Sequence, residues 1–352
     1  MASNTPRIDG LERNLVINGN MDFWQRGTSV ACNNNDDKYL ADRFVIDVWA
    51  ASVSATGTYS RSADVPTQAQ SGFNSRYSLL YTNTSANSNS ITVRYEVEGQ
   101  DYQQIHAQKI RVQFWVKSSV AGTYSLGLQN GANQNRSYLT TYTIASANTW
   151  QKVAIDVQLD QTGTWNFNET AGLSIQWGAG VPGFYGLSAL NTWVSSRVTG
   201  YTGNTASWST TSGATFQIAQ VSLIPQDFTL AGASNVDIPF QRAGRTIGHE
   251  LAMCQRYYEA GFYQSYFPGG GTAYVGSSIP YAADKRATPT IAYVDGAANP
   301  GKISIISGVS GQQTALLTAI VQTNLLRQMG LLYVGGATAY GMIFSWTSDA
   351  EL

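Results

Sequence analysis

Up to about residue 225, apolar side chains recur at every second position, and this period is the strongest constraint on the fold. Ile91, Val93, Tyr95 and Val97 share one side of such a run, with Thr92, Arg94, Glu96 and Glu98 on the other. Ile110, Val112, Phe114 and Val116 alternate with Arg111, Gln113, Trp115 and Lys117. Val153, Ile155, Val157 and Leu159 alternate with Lys152, Ala154, Asp156 and Gln158. A strand sends successive side chains to opposite faces, so this pattern buries one face and cannot serve a helix, whose period is 3.6. Further strands are expected at 15–17, 44–48, 124–128 and 173–177. Near 216–224 the apolar phase slips from Phe216 and Ile218 to Val221 and Leu223, the mark of a β-bulge. Many short strands separated by Gly, Asn and Ser turns predict an all-β fold, an antiparallel β-sandwich of jelly-roll type.

Charged residues make up 12% of the 352-residue chain and the net charge is −1. Phosphate binding needs Lys and Arg in surplus on one face, so no nucleic acid is expected as partner. Instead the chain is rich in Gly (34), Tyr (20) and Trp (9), which suits sheets and turns. The apolar stretch 331–346 is broken by Gly335, Gly336 and Gly341 and is too short for a spanning helix, so no membrane insertion is expected. The N-terminal ten residues lack a basic start with an apolar run behind it. A soluble product made in a cytosol is the expectation, with a later extracellular role left open. Two cysteines, Cys32 and Cys254, make neither a disulfide framework nor a zinc site.

The pattern changes after Pro225. Thr246 is placed to cap a helix over 247–257, with Ile247, Leu251, Cys254 and Tyr258 near helical spacing. The organisation expected is a sandwich over 1–228, a linker and connector helix over 229–261, and a smaller β domain over 262–352 that serves assembly or forms a tip. Strands are expected there at 274–275, 279–280, 291–294, 303–306, 332–334 and 342–346, while 316–326 reads as either helix or strand. No repeat, collagen-like period or heptad occurs, which points to a compact head, tip or adaptor module and away from a shaft.

The segment from Asn14 through Asn18-Gly-Asn-Met-Asp-Phe-Trp-Gln-Arg-Gly27, followed by Ala41-Asp-Arg-Phe44, resembles the start of a recurrent bacteriophage and prophage virion protein. Such proteins begin with the form N-L-x-x-N-G-x-x-x-x-W-Q-R-G-T and then A-D-R-W, and here Phe44 stands where Trp is commoner. Phe114-Trp-Val-Lys-Ser118, Thr149-Trp-Gln-Lys152, Gln220-Val-Ser-Leu-Ile-Pro225, Glu250-Leu-Ala-Met-Cys-Gln-Arg-Tyr-Tyr258 and Arg286-Ala-Thr-Pro-Thr290 match in the same order. The resemblance implies a virion appendage of the tail-fibre type that works in host attachment, with other virion proteins as partners and homotrimeric assembly. A head fibre, capsid decoration or tail adaptor is the alternative it leaves open. The first ~225 residues also look like the jelly-roll carbohydrate-binding modules of tail fibres, which implies a host-surface polysaccharide as ligand. Many such modules hold a structural Ca²⁺. Asn18, Asn20, Asp22, Asp36 and Asp37 offer oxygen ligands, but their spacing does not compel a site, and no other cofactor is implied.

Rings stack on the apolar faces of sugars, with amides and hydroxyls around them. The candidate ligand residues are therefore Trp115, Trp177, Tyr185, Trp193, Tyr201 and Trp208. The stretch 177–208 reads first as packing or subunit interface, where Tyr and Trp are also enriched, with a glycan platform as the alternative. Trp115, on the polar side of its strand, reads as contact surface or as covered. Glu96 and Glu98 share a strand face about 7 Å apart, within the range of a glycosidase pair. Arg94 beside them would hold both ionised, which favours a solvated charged face. His106 and His249 stand without any nucleophile, metal or nucleotide motif, so no enzyme is expected.

Overall fold

The computed structural model describes residues 14–49, 56–85, 90–178, 186–198, 200–225, 238–266, 274–307, 312–315, 320–334 and 339–352. The chain divides into two compact units, the first running to Glu250 and the second from Leu251 to Glu351.

The first unit contains strands β1 (Ser29–Asn33), β2 (Asp36–Tyr39), β3 (Phe44–Trp49), β4 (Thr56–Ser62), β5 (Ser78–Asn83), β6 (Ser90–Glu98), β7 (Lys109–Ser118) and β8 (Gly122–Asn130). It continues with β9 (Ser137–Ile144), β10 (Gln151–Gln158), β11 (Ala171–Gly178), β12 (Gly186–Leu187), β13 (Trp193–Val194), β14 (Gly200–Tyr201) and β15 (Thr215–Pro225). Two short helices, α1 (Gln68–Ser71) and α2 (Gly99–Tyr102), lie between strands. The strands form two sheets, ordered β1-β4-β5-β15-β7-β10 and β13-β9-β8-β11-β6-β3-β2, antiparallel throughout, with a small parallel β12-β14 pair beside them. This is the expected jelly-roll sandwich. Its core holds the apolar face of each alternating run, including Ile91, Val93, Tyr95 and Val97 on β6 and Ile110, Val112, Phe114 and Val116 on β7.

The bulge also lies where the apolar phase slips. The β15–β7 register shifts between Ala219 and Ser222, and Gln220 takes a left-handed φ of 50°. One inserted residue lets Phe216 and Ile218 before it, and Val221 and Leu223 after it, all reach the core.

Residues 15–17 are not a strand, contrary to expectation. Their backbone bonds go elsewhere. Ile17 N donates to the Tyr95 hydroxyl (2.8 Å), that hydroxyl donates to Leu15 O (3.2 Å), and Leu15 N donates to Leu223 O (3.0 Å). The segment is buried by threading against the bulge, where Gly19 is obligatory because a Cβ there would lie 2.1 Å from Val221 O.

Of the stretch 229–261 expected as linker and connector helix, the described residues start at 238 and divide between the two units at Glu250. Phe240 packs edge-on against Phe73, Arg242 pairs with Asp22 at 2.7 Å, and Asn14 donates to Gln241 O, so 238–250 belongs to the sandwich. Residues 226–237 lie outside the described residues. The expected helix forms as α3 (Ile247–Gln255), and Thr246 caps it by accepting from His249 N at 3.3 Å.

The second unit is again β, with β16 (Tyr258–Tyr266), β17 (Tyr274–Pro280), β18 (Thr290–Val294), β19 (Ile303–Ser307), β20 (Gln312–Ala315), β21 (Ile320–Asn324), β22 (Gln328–Val334) and β23 (Ala339–Asp349). One sheet runs β16-β23-β19-β20 with β18 also on β23, and the other runs β17-β22-β21. The segment 316–326, ambiguous in sequence, forms a strand at 320–324, while 316–319 lie outside the described residues. The core collects Ile279, Tyr281, Ile303, Met329, Met342, Phe344 and Trp346. Lys285 is buried beside it, donating to Glu259 at 2.8 Å and to Gln255 O at 2.5 Å.

Cys32 and Cys254 are both buried and form no disulfide.

Candidate functional site

The five described rings of the six singled out by sequence do not meet in one place. Trp177 and Trp208 are fully buried, Trp177 against Phe44 and Phe114, Trp208 against Tyr81 and Phe216. Neither can stack on a sugar. For Trp177 the reason is strand parity: Leu173, Ile175 and Trp177 point the same way, into the core. Trp115 is also covered, packed with Trp150 and Ala219 on the outer side of the six-stranded sheet. Crossing segments close that side, since Trp150 Nε1 donates to Asp64, Gln113 to Ile238 O, and Gln220 to Ser71 and Ser75. Tyr185 lies outside the described residues. Tyr201 is half-buried on β14, in a loop held to the seven-stranded sheet by Asn204 to Ser125 and by Val198 N to Ser137. The aromatic-rich stretch is thus in large part a cover over its own sandwich.

Trp193 is different. It is half-buried on β13, opposite Tyr138 of β9, and its Nε1 donates to Gln158 O at the end of β10 (2.8 Å). Its ring starts a row of contacts that the sequence did not suggest. Trp193 meets Tyr138 at 5.6 Å between centroids and Trp165 at 5.7 Å; Trp165 meets His106 at 5.9 Å; His106 meets Phe167 at 5.2 Å. Tyr102 lies beneath, stacked on Trp165 at 5.0 Å and parallel to Phe167 at 6.2 Å. Tyr102 and Trp165 are buried backing, whereas His106, Trp193 and Tyr138 are half-open and Phe167 is 41% exposed.

Local chemistry fixes this row. Gly99 N donates to Thr170 O and Gln100 N to Asn168 O, which ties α2 to the 166–170 loop. A Cβ on Gly99 would lie 2.7 Å from both Asn166 O and Asn168 O, so glycine alone allows the approach that places Phe167 over Tyr102. Trp165 Nε1 donates to Thr162 O, and Asp160 pairs with Arg136 at 2.5 Å and accepts from Thr162. Around the rings stand exposed amides, Gln103, Gln104, Gln108, Gln158 and Asn168. The Tyr102 hydroxyl lies 3.2 Å from His106 Nδ1. Such a surface offers apolar faces for stacking and amides for hydroxyl groups.

The two glutamates of the expected solvated strand face differ in burial. Glu96 lies 3.3 Å from Arg94, while Glu98 is buried at the start of α2 instead of forming a solvated face. Arg94 also faces Asp37 and Asp47, each at 3.6 Å. Burial works against its charge, but Glu96, Asp37 and Asp47 keep the guanidinium ionised. Burial, then Asp37, pushes the Asp47 carboxyl above the usual range.

The five candidate Ca²⁺ ligands are engaged within the protein. Asn18 donates to Phe23 O and Asp42 O and accepts from Phe23 N; Asn20 accepts from Ser75; Asp22 pairs with Arg242. Asp36 accepts from Asn33 N, and Asp37 faces Arg94. Among the described residues no three His, Cys, Asp or Glu side chains gather around a metal-sized space. The N-terminal motif is instead a buried knot of turns. Trp24 Nε1 donates to Met21 O, Gln25 donates twice to Asp42, and Arg43 reaches Glu96 O while its guanidinium covers the Tyr95 ring. Glu250 closes the knot, buried and accepting from Asn18 N and Gly244 N at 2.5 Å each.

No family model matches this chain, and no curated protein sequence is similar to it. Solved structures resemble it weakly. The enzymatically active domain of tailspike protein 4 of bacteriophage CBA120 matches at 14% identity and a TM-score of 0.32, over 60% of this chain and 21% of that one. TmCBM61 in complex with beta-1,4-galactotriose matches at 13% identity and 0.29, over 61% and 99%. The family 11 carbohydrate-binding module from Clostridium thermocellum matches at 9% and 0.29, over 56% and 95%. The chain thus spans about a fifth of the tailspike domain's length. Likeness at this level carries no residue role across, and the architecture rests on the strand order above.

Proposed function

We propose that the chain is a bacteriophage virion protein of the appendage type whose first unit binds host-surface glycans without cleaving them. The observation that carries the glycan reading is the row Phe167, His106, Trp193 and Tyr138, open on one side, backed by Tyr102 and Trp165 and rimmed with amides. Large rigid rings give contact area at little conformational cost, and neighbouring amides supply directional hydrogen bonds. The virion part of the reading is supported by the ordered motifs from Asn14 to Thr290. The weak likenesses to carbohydrate-binding modules and to a tailspike domain agree with it but add no independent weight.

The test is calorimetry and glycan-array binding of the pure chain with host-surface polysaccharide. Phe167→Ala and Trp193→Ala are each expected to weaken binding about ten-fold or more, the behaviour of a ring that anchors an interface. Full binding by both variants sinks the proposed site. If the pure chain binds no host glycan and particles lacking it fail to assemble, the head-fibre, decoration or adaptor reading replaces this one. Antibody labelling of particles tests the virion location.

A further inference from the structure

His106 stands in the middle of the ring row, and its two nitrogens have different surroundings. Nδ1 lies 3.2 Å from the Tyr102 hydroxyl, while Nε2 meets no protein group among the described residues. Tyr102 is buried, and that burial, followed by the charge of Asp160, pushes its phenol up, so the hydroxyl keeps its proton. A buried O–H that donates to nothing is costly, and Nδ1 is the one acceptor it meets among the described residues. The hydroxyl therefore donates to Nδ1, which leaves the ring proton of the neutral imidazole on Nε2. That Nε2–H is a fixed donor on a half-open ring beside Phe167. The amide of Gln158 is fixed by the same kind of reasoning. Its Nε2 donates at 2.7 Å to the carbonyl of Ala107, the residue after His106. A carbonyl only accepts, so this amide cannot be turned round, and Gln158 Oε1 remains an open acceptor on an exposed side chain. The backbone oxygen of Gln158 also holds Trp193 through Nε1, so this residue joins the two open rings.

We propose that this part of the row selects an acetamido sugar: His106 Nε2–H donates to the acetyl carbonyl, Gln158 Oε1 accepts from the acetamido N–H, and the methyl rests on Phe167. Tyr102 is the positioning residue that sets the tautomer. This inference rests on the glycan reading of the row and adds the class of sugar. Other common sugar substituents use the site less fully. A carboxylate accepts from His106 but brings no N–H to the glutamine oxygen. An amino group donates to Gln158 and leaves the imidazole donor unpaired. A hydroxyl gives and accepts a hydrogen bond but covers no ring. Of these groups the acetamido alone meets the donor, the acceptor and the apolar face together.

Two measurements test it on the full chain. Nitrogen NMR without ligand at about pH 8, above the ordinary imidazole range, reads the tautomer. His106 is expected to carry its proton on Nε2, and Tyr102→Phe to give a mixture of tautomers. Calorimetry then compares trimers of N-acetylglucosamine, glucosamine and glucose that share one β-1,4 backbone. The wild type is expected to prefer the acetylated trimer about ten-fold, because a site built to hydrogen-bond a group rejects the analogue that lacks it. His106→Phe keeps a ring but removes the donor, and is expected to abolish the preference. His106→Gln, whose amide nitrogen stands in for Nε2, is expected to keep it. If His106→Phe does not fold, Gln158→Leu at an exposed position takes its place with the same expected loss. A proton on Nδ1 in the wild type overturns the proposal, as does equal affinity for the acetylated and glucose trimers, or binding of none of the three. A chain that shows one of these outcomes yet binds host polysaccharide keeps the glycan reading and loses this one. A chain that binds no glycan loses both.

Discussion

The first unit contains two sets of tryptophans that look alike in sequence and differ in use. Trp177 and Trp208 fill the sandwich core, while Trp193, resting on Trp165, opens toward solvent in a row with His106 and Phe167. All four lie among Gly, Ser, Thr and Asn in sequence. What separates them is position within the fold. Trp177 sits in register on a central strand whose parity is already apolar. Trp193 sits in a two-residue strand at the sheet margin, where the neighbouring sheet ends and cannot cover the ring.

If that contrast is right, the two sets respond differently to removal. Trp177→Ala is expected to cost about 3–5 kcal/mol, seen as a large drop in urea midpoint with any binding loss following unfolding. A loss below about 1.5 kcal/mol would show that the core ring is dispensable and break the comparison. The motif knot should side with the core. Asn18→Ala, which strands Phe23 N and takes one donor each from Phe23 O and Asp42 O, is expected to lower stability by about 1–3 kcal/mol. Phe167→Ala should reverse the profile, with stability changed by less than about 1 kcal/mol and glycan affinity reduced.

The smallest effect is expected at Glu250. Burial raises its carboxyl above the usual value, against the two backbone donors that favour the ion. A folded pKa above the unfolded one means the native state binds more protons, so this group's contribution is full below the unfolded pKa. It is lost as pH rises from there through the folded value. Denaturant midpoints across that window should fall with rising pH in the wild type and stay flatter in Glu250→Gln. An equal slope in both would remove Glu250 as the source.

Much of the architecture was legible because period-two alternation is a local property. The bulge at Gln220 was legible for the same reason, since a slip of phase in an apolar run requires an inserted residue. The 15–17 segment was not, because its apolar triplet is satisfied by a tyrosine hydroxyl 78 residues away and not by a ladder. Parity along β11 already placed Trp177 inside, and composition alone drew it into a platform. Of the five candidate rings among the described residues, only Trp193 joins the row proposed here. Tyr102, Trp165 and Phe167 went unread, and His106 was read without its neighbours, because α2 with the turn after it and the 162–170 loop are joined only by contacts such as Gly99 against Asn166 and Asn168.

By itself the sequence determined which faces are apolar, where the strands change phase and where a helix starts, since each depends on neighbours within a few residues. Only the tertiary structure decided which polar-side rings are covered, such as Trp115 beneath segments crossing from residues 64 and 238, and which rings converge. Exposure and convergence depend on what other parts of the chain are laid across a surface. No periodicity along one strand records that.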